Sequence, residues 1–281
     1  MVILKNDEVF LFTMIPRIIH YCWFGDNPKP KKVLDNIANW KKKLPDYKFV
    51  EWNDNHLHLA NNNRYVKEAY QVRKFAFVSD YFRIYALWTE GGIYLDTDIT
   101  LSQFFDSFNS FLELEFFSCY ENWRGIIHPI STATLGASKS NDFVKEILDT
   151  YEHDRFIKNG ELDLTTNVER ITTILRNKNL VSEPFDKFNT LKISPKEIIF
   201  PSYYFCEEIE GYLNYCVHQF YVSWKDDTDN VIIPIKVKQP FKVKFRINKK
   251  IQFVRLNKEI IPNKILVSFS FKKKKYAFII V

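Results

Sequence analysis

The chain has 281 residues, 46% hydrophobic and 26% charged, with only 7 Gly and 11 Pro; this excludes a disordered, collagen-like or low-complexity chain and leaves enough apolar material for a sizeable core. The formal charge of +6 hides an asymmetry: residues 236–281 carry 14 Lys and Arg against one acid, Glu259, whereas residues 1–235 carry 26 against 33 acids. No apolar run approaches the ~20 residues that cross a bilayer, and the 4 scattered cysteines lack a CxxC pair and are too few for a disulfide scaffold.

Asp7 and Glu8 stand where a signal peptide would carry its apolar segment, so the expected setting is cytoplasmic, with reduced and mostly buried thiols. IPRIIHYCWFG (15–25) is an Ile-rich apolar run closed by Gly, which predicts a buried strand. A Pro-bounded helix follows over 31–44, with Val33, Leu34, Ile37 and Trp40 on one stripe, and then a strand at YKFVEW (47–52). NNNRYVKEAY and residues 74–90 predict two helices, the second ended by Gly91-Gly92, which supply left-handed cap geometry. IYLDTDI (93–99), EFFSCYE (115–121) and ISTATLGA (130–137) read as strands, and NDFVKEILDTYEHD and TTNVERITTILRN as amphipathic helices with Asn141 and Thr166 as N-caps. From about Leu191 short strands and loops run through ISPKEIIFPSYYF to CVHQFYVSWKDD. Strand and helix alternate up to about residue 200, which predicts an α/β fold.

We place a catalytic domain at 1–232 and a basic, β-rich C-terminal segment at 233–281. In that segment KVKQPFKVKFRI and KILVSFSFKKKKYAFIIV alternate basic and apolar positions. This fits either a solvated strand face or a surface that meets something anionic, with phospholipid headgroups ahead of nucleic acid because no nucleic-acid recognition signature accompanies the charge.

The chemistry concentrates in SDYFRIYALWTEGGIYLDTDI (79–99). Asp96 and Asp98 have one residue between them, so on an extended chain both carboxylates point to the same side. Such oxygen ligands suit a hard divalent cation such as Mg²⁺ or Mn²⁺, which in turn would hold a diphosphate and neutralise charge on it as a leaving group. A solvated turn is the structural alternative. On the preceding helix Asp80 and Arg83 are three apart and share a face, continued roughly by Arg73, Ala76 and Leu87. A surface ion pair would contribute little, but the surrounding segment is aromatic and aliphatic, where unpaired charge is costly.

The blocks IPRIIHYCWFG, NWKKKLPDYKFVEWND, RYVKEAYQVRKFAFVSDYFRIYALWTEGGIYLDTDI and VHQFYVSW resemble, in that order, bacterial glycosyltransferase family 32, the DXD-containing sugar transferases of capsular and surface polysaccharide synthesis. A more distant similarity is to the catalytic domains of large clostridial glucosylating toxins. The resemblance is dense from about Ile15 to Leu101, sparser to Trp224 and absent beyond. It implies a GT-A, Rossmann-like mixed sheet flanked by helices, a nucleotide-sugar donor (usually a UDP-sugar), a divalent metal (usually Mn²⁺) and transfer with retention of configuration.

Carried over by position, Asp98 is the direct metal ligand and Asp96 contacts metal and donor; Asp80 and Arg83 grip the sugar hydroxyls above Tyr94; and the Trp23-Phe24-Gly25 turn offers an aromatic ring to uracil. His218, Ser223 and Trp224 match a late block that closes over the diphosphate and completes the metal shell, with either His218 or Ser223 as the further ligand. Gln219 stands where many relatives have a second His.

A retaining transfer needs a carboxylate nucleophile or a same-face mechanism, and both need a site that stabilises an oxocarbenium ion. Glu121, after a predicted strand, is the carboxylate candidate for that role, with a surface loop position as the alternative. Residues 130–137 are expected to line the acceptor cleft. The acceptor expected is a saccharide, lipid-linked at the inner face of the cell membrane, with residues 236–281 docking on anionic lipid and no nucleic acid involved. The rival readings are an effector that glycosylates a protein and a non-catalytic binding module.

Overall fold

The computed structural model describes residues 14–103, 105 and 107–221 in full and, outside them, the backbone of two short strands before residue 12 and five between 245 and 280. The chain divides into two compact units, 1–221 and 222–281; the boundary expected near residue 232 lies outside the described residues.

In the first unit the chain runs β1 (Ile18–Cys22), α1 (Lys31–Lys43), β2 (Lys48–Trp52), α2 (Arg64–Gln71), α3 (Phe75–Glu90), β3 (Gly92–Leu95) and β4 (Ile99–Leu101). It continues through β5 (Phe116–Cys119), β6 (Glu121–Trp123), β7 (Ile126–His128), β8 (Thr134–Ala137), α4 (Asp142–Asp149), α5 (Asn167–Asn177), β9 (Leu191–Ser194), β10 (Glu197–Phe200) and β11 (Cys216–His218). Seven strands form one mixed sheet in the order β9-β10-β5-β8-β3-β1-β2. β1 lies parallel to both β2 and β3, while β8 runs antiparallel to β3 and β5. This is the helix-flanked mixed α/β sheet expected from the alternation of elements.

The central strands β5, β8, β3 and β1 are buried on both faces, and the alternation of their side chains sorts two cores. Ile19, Tyr21, Ile93, Leu95, Phe117 and Cys119 face the core that holds α1, whereas Cys22, Tyr94, Phe116, Leu135 and Ala137 face the one that holds α3. On α1 the buried stripe is Val33, Ile37 and Trp40. Leu34, expected on that stripe, is 51% exposed, because its neighbour position is rotated about 100° around the helix. Arg73 precedes α3 and pairs with Asp26 at the surface, so it does not continue the Asp80–Arg83 face. Asn141 and Thr166 are N-caps as expected; Thr166 and Glu169 form a reciprocal capping box. All four cysteines are free and buried.

Two glycines set the junction that delivers the acidic motif. Gly91 closes α3 at φ 68 with its N–H on the Leu87 carbonyl, and Gly92 opens β3 at φ 116. A Cβ on Gly91 would stand 2.6 Å from the Lys139 nitrogen, and one on Gly92 2.7 Å from the Ile18 oxygen. Buried His20 fastens this turn from β1: Trp52 Nε1 donates to its Nδ1 at 3.1 Å, which leaves Nε2 to donate to the Gly91 carbonyl at 2.8 Å. Burial holds the His20 pKa below its ordinary value, in keeping with that neutral tautomer.

Candidate functional site

Residues 93–99 do not form one strand. β3 ends at Leu95, the Ile99 N–H turns back onto the Asp96 carbonyl at 2.9 Å, and β4 then leaves in a new direction. Asp suits the first position of such a turn. The two carboxylates are therefore brought to one site by a turn rather than by an extended chain. β4 pairs antiparallel with β11, and His218 lies opposite Ile99 in that register. The pairing carries His218, 120 residues further along the chain, to the side of Asp98.

His218 Nε2 stands 3.4 Å from Asp98 Oδ1, and the Tyr221 N–H donates to Asp98 Oδ2 at 2.9 Å. Burial raises the Asp98 carboxyl, but His218 and the backbone N–H groups of Tyr221 and Asp98 together outweigh it and hold the pKa below the usual range. For His218 burial acts downward, but the Asp98 hydrogen bond together with the charges of Asp98, Asp96 and Glu121 outweighs it, so the imidazole pKa is raised. Ligating atoms of Asp96, Asp98 and His218 all lie within 4.8 Å of one another, and His218 Nδ1 is buried without a hydrogen-bond partner. Two carboxylates and an imidazole fit a divalent cation with mixed O and N ligation.

Beside this cluster, on the α3 side of the sheet, lies a buried polar group. Arg83 Nη2 is 3.0 Å from Asp80 Oδ1 and 3.3 Å from Asp96 Oδ1. Its Nη1 donates to the Thr132 carbonyl at 2.8 Å and to Thr132 Oγ1 at 3.1 Å. The guanidinium lies 4.7 Å from the Tyr94 ring centroid, and the Tyr94 hydroxyl donates to Asp96 Oδ1 at 2.7 Å. Burial alone would lower the Arg83 pKa; the charge of Asp96, the Tyr94 phenol and Asp80 more than reverse it, and the group stays cationic. Asp80 is raised, chiefly by burial, with Arg83 opposing and Asp96 reinforcing. Tyr94 is raised by burial, and the Cys22 thiol is pushed up to about 12 by burial, so neither ionises near neutral pH.

Glu121 is not on a surface loop. It begins β6, is 8% exposed, and accepts a hydrogen bond from Ser131 Oγ at 3.2 Å. Burial lifts its carboxyl to about 7, and it lies within electrostatic reach of His218, Asp96 and Arg83. Residues 131–133 run as a non-strand segment ahead of β8 and supply Ser131 and Thr132 to the site. Trp23 is half-buried, with its indole N–H on the Asn27 carbonyl at 2.8 Å. Phe24 is buried against Phe82, with ring centroids 5.0 Å apart. Ser223 and Trp224 lie outside the described residues.

The sequence reading passed over Thr132 and Asn167. Thr132 acts partly through its main-chain carbonyl, which leaves no trace in side-chain chemistry. Asn167 adjoins a cap that Thr166 already supplies; an extra Asn inside a first helical turn was the one signal available.

Residues 30–114, which include Asp96 and Asp98, match the family described as the glycosyltransferase sugar-binding region containing a DXD motif. The matched stretch is less than a third of the chain. Subversion of eukaryotic traffic protein A, from Legionella pneumophila subsp. pneumophila strain Philadelphia 1, is 25% identical over 165 residues, which are 49% of this chain and 25% of that protein. The chain thus spans about a quarter of the length of this curated relative. Among solved structures, the PaToxG glycosyltransferase superposes with a TM-score of 0.46 at 20% identity, covering 59% of this chain and 70% of that one. A glycosyltransferase involved in the glycosylation of the major capsid of PBCV-1 superposes with a TM-score of 0.35 at 14% identity, covering 67% and 83%. The chain is glycosyltransferase-like, with a DXD sugar-binding region.

Proposed function

We propose that this protein is a metal-dependent, retaining glycosyltransferase of GT-A type and family 32 affinity, which moves a hexosyl group from a UDP-sugar to a hydroxyl acceptor. The observation that carries this reading is the convergence of Asp96, Asp98 and His218 beside the Arg83–Asp80 pair, reached from three separate stretches of chain. Asp96, Asp98 and His218 would hold a divalent cation, Mn²⁺ first. When bound, that cation neutralises charge on the departing diphosphate.

The chain's own residues do the rest. Arg83, kept cationic by its carboxylates, and Asp80 hold the sugar hydroxyls. The Tyr94 hydroxyl fixes one oxygen of Asp96 and so frees the other for ligation. Trp23 offers a ring to uracil. Phe24 supports that turn from beneath. Glu121, a buried carboxylate beside the cluster, stabilises the oxocarbenium-like transition state.

For the acceptor, the first reading is a lipid-linked saccharide in capsular or other surface-glycan synthesis, with residues 1–232 catalytic and 233–281 docking on the anionic inner face of the membrane. Among the described residues no helix is long and apolar enough to cross a membrane. A second reading, a protein acceptor, is favoured by the match to a Legionella protein whose name refers to eukaryotic traffic. Thermal shift with UDP and UDP-sugars, with and without Mn²⁺, followed by donor hydrolysis assays, tests the donor. Asp98→Asn should abolish metal-dependent turnover while the melting temperature stays within a few degrees; retained turnover would overturn the metal assignment. Acceptor trials with lipid-linked oligosaccharide and with protein, read by mass spectrometry, separate the two acceptor readings.

A further inference from the structure

The N-terminus of α5 reaches the site through one side chain. Asn167 is the first residue of that helix, is fully buried, and is not its cap, since Thr166 and Glu169 already form the capping box. Its backbone N–H donates to Asp80 Oδ2 at 3.2 Å, and its side-chain Nδ2 donates to the Asp80 main-chain carbonyl at 2.7 Å. Its Oδ1 accepts from the Tyr151 hydroxyl at 2.5 Å. One residue therefore grips Asp80 at both side chain and backbone, 87 positions away in the chain.

What stands behind Asn167 is rigid. Tyr151 is fully buried, packs edge-on against Tyr65 and Tyr81 at 4.9 and 5.7 Å, and lies 4.4 Å under the Arg170 guanidinium. Arg170 is in turn held by Asp154 at 2.6 Å and Asp163 at 3.5 Å. On the other side Asp80 Oδ1 meets Arg83. The carboxylate is thus clamped between a helix N-terminus, which favours its charge, and a guanidinium, with each oxygen assigned to a different partner. Asn is a poor residue for the interior of a first helical turn, yet every polar function it presents here has a partner that leads toward Asp80 or the core.

We propose that Asn167 is a positioning residue for donor-sugar recognition, setting the orientation of Asp80 toward the sugar while leaving the nucleotide subsite untouched. The inference rests on the reading of Asp80 and Arg83 as the groups that hold the donor sugar. It makes α5, which supplies no ligand of its own, part of the specificity apparatus.

The test is calorimetric titration of the full chain, with Mn²⁺, against UDP and against UDP-glucose, UDP-galactose and UDP-N-acetylglucosamine. The sugar increment is the ratio of the UDP Kd to the Kd of the best UDP-sugar. Asn167→Ala removes the amide and keeps the N–H; Asn167→Pro also removes the N–H at the one helical position that accepts Pro readily. Both should leave UDP affinity unchanged and reduce the sugar increment about tenfold, equivalent to about 1.4 kcal/mol. In an Asp80→Asn background the same substitutions should change it less than about twofold, since the lever then has nothing to set.

An equal loss in both backgrounds, or a parallel loss for UDP and UDP-sugar, would make Asn167 merely structural and overturn the inference. A sugar increment that survives both variants overturns it as well. Wild type that binds UDP without any sugar increment refutes the role given to Asp80, and wild type that binds no UDP refutes the donor reading itself; the inference falls with either.

Discussion

Replacing Arg83 with Met keeps the length of the side chain and removes its charge, which strands two carboxylates. Asp80 loses its 3.0 Å contact and Asp96 its 3.3 Å contact, the Thr132 carbonyl loses a 2.8 Å donor, and the stack on Tyr94 is weakened. Asp80 is 9% exposed, so water cannot replace the guanidinium. Breaking a buried pair in this way costs about 3–5 kcal/mol. For a unit of 221 residues that corresponds to a melting temperature lower by roughly 6–20 °C.

The assay is urea unfolding of the metal-free protein, with Arg83→Met, Asp80→Asn and the double variant side by side. The double variant should regain about half of the loss, because one of the two stranded charges is gone. The pH dependence gives a second check. Burial already raises the Asp80 pKa in the intact protein; without Arg83 only the Asn167 N–H and the Arg170 charge still oppose that. A folded pKa above the unfolded value stabilises fully below the unfolded value and is lost as pH rises through the folded one. The deficit of Arg83→Met should therefore shrink as pH falls from 8 toward 4. A loss under 1 kcal/mol, or one that neither Asp80→Asn nor acid relieves, would refute the argument that Arg83 is held by electrostatic demand.

Glu121, with its carboxyl lifted to about 7 by burial, follows the same sign: its stabilising share is complete below about pH 4.5 and is lost as pH passes 7. Glu121→Gln should accordingly gain about 2 kcal/mol on wild type between pH 5 and pH 8 in denaturation curves of the metal-free protein, and a pH-independent difference would contradict the burial argument. Gly136 in β8 lies opposite Phe117 in register, and a Cβ there would overlap the fully buried Phe117 ring. Gly136→Ala should cost about 1–3 kcal/mol of overpacking, relieved by Phe117→Leu in the same background; an unchanged melting temperature would show that the ring has room to move.

The elements up to residue 200 could be read from the sequence because each carries a local signal. The apolar runs of β1 and β3, the capping residues Asn141 and Thr166, and the Gly91-Gly92 stop are all properties of a few adjacent side chains. The Asp80–Arg83 pair and the Asp96–Asp98 pair were legible for the same reason, being three and two positions apart. Leu34 misled because a helical stripe defines a direction but not its width; only the packing of α1 decides which flank is covered.

The turn at Asp96–Ile99 was hidden because three apolar residues and a DXD motif are compatible with a continuous strand, and the redirection of the chain is set by the pairing of β4 with β11. That long-range pairing also decides that His218 meets Asp98. Glu121 could equally have been a loop carboxylate until Ser131 and the core enclosed it, and Asn167 carries no signal of its own until α5 is docked against Asp80. Residue types, and hence the chemistry available, are written in the chain; which groups share a site depends on contacts between residues up to 123 positions apart, whose partners no local pattern specifies.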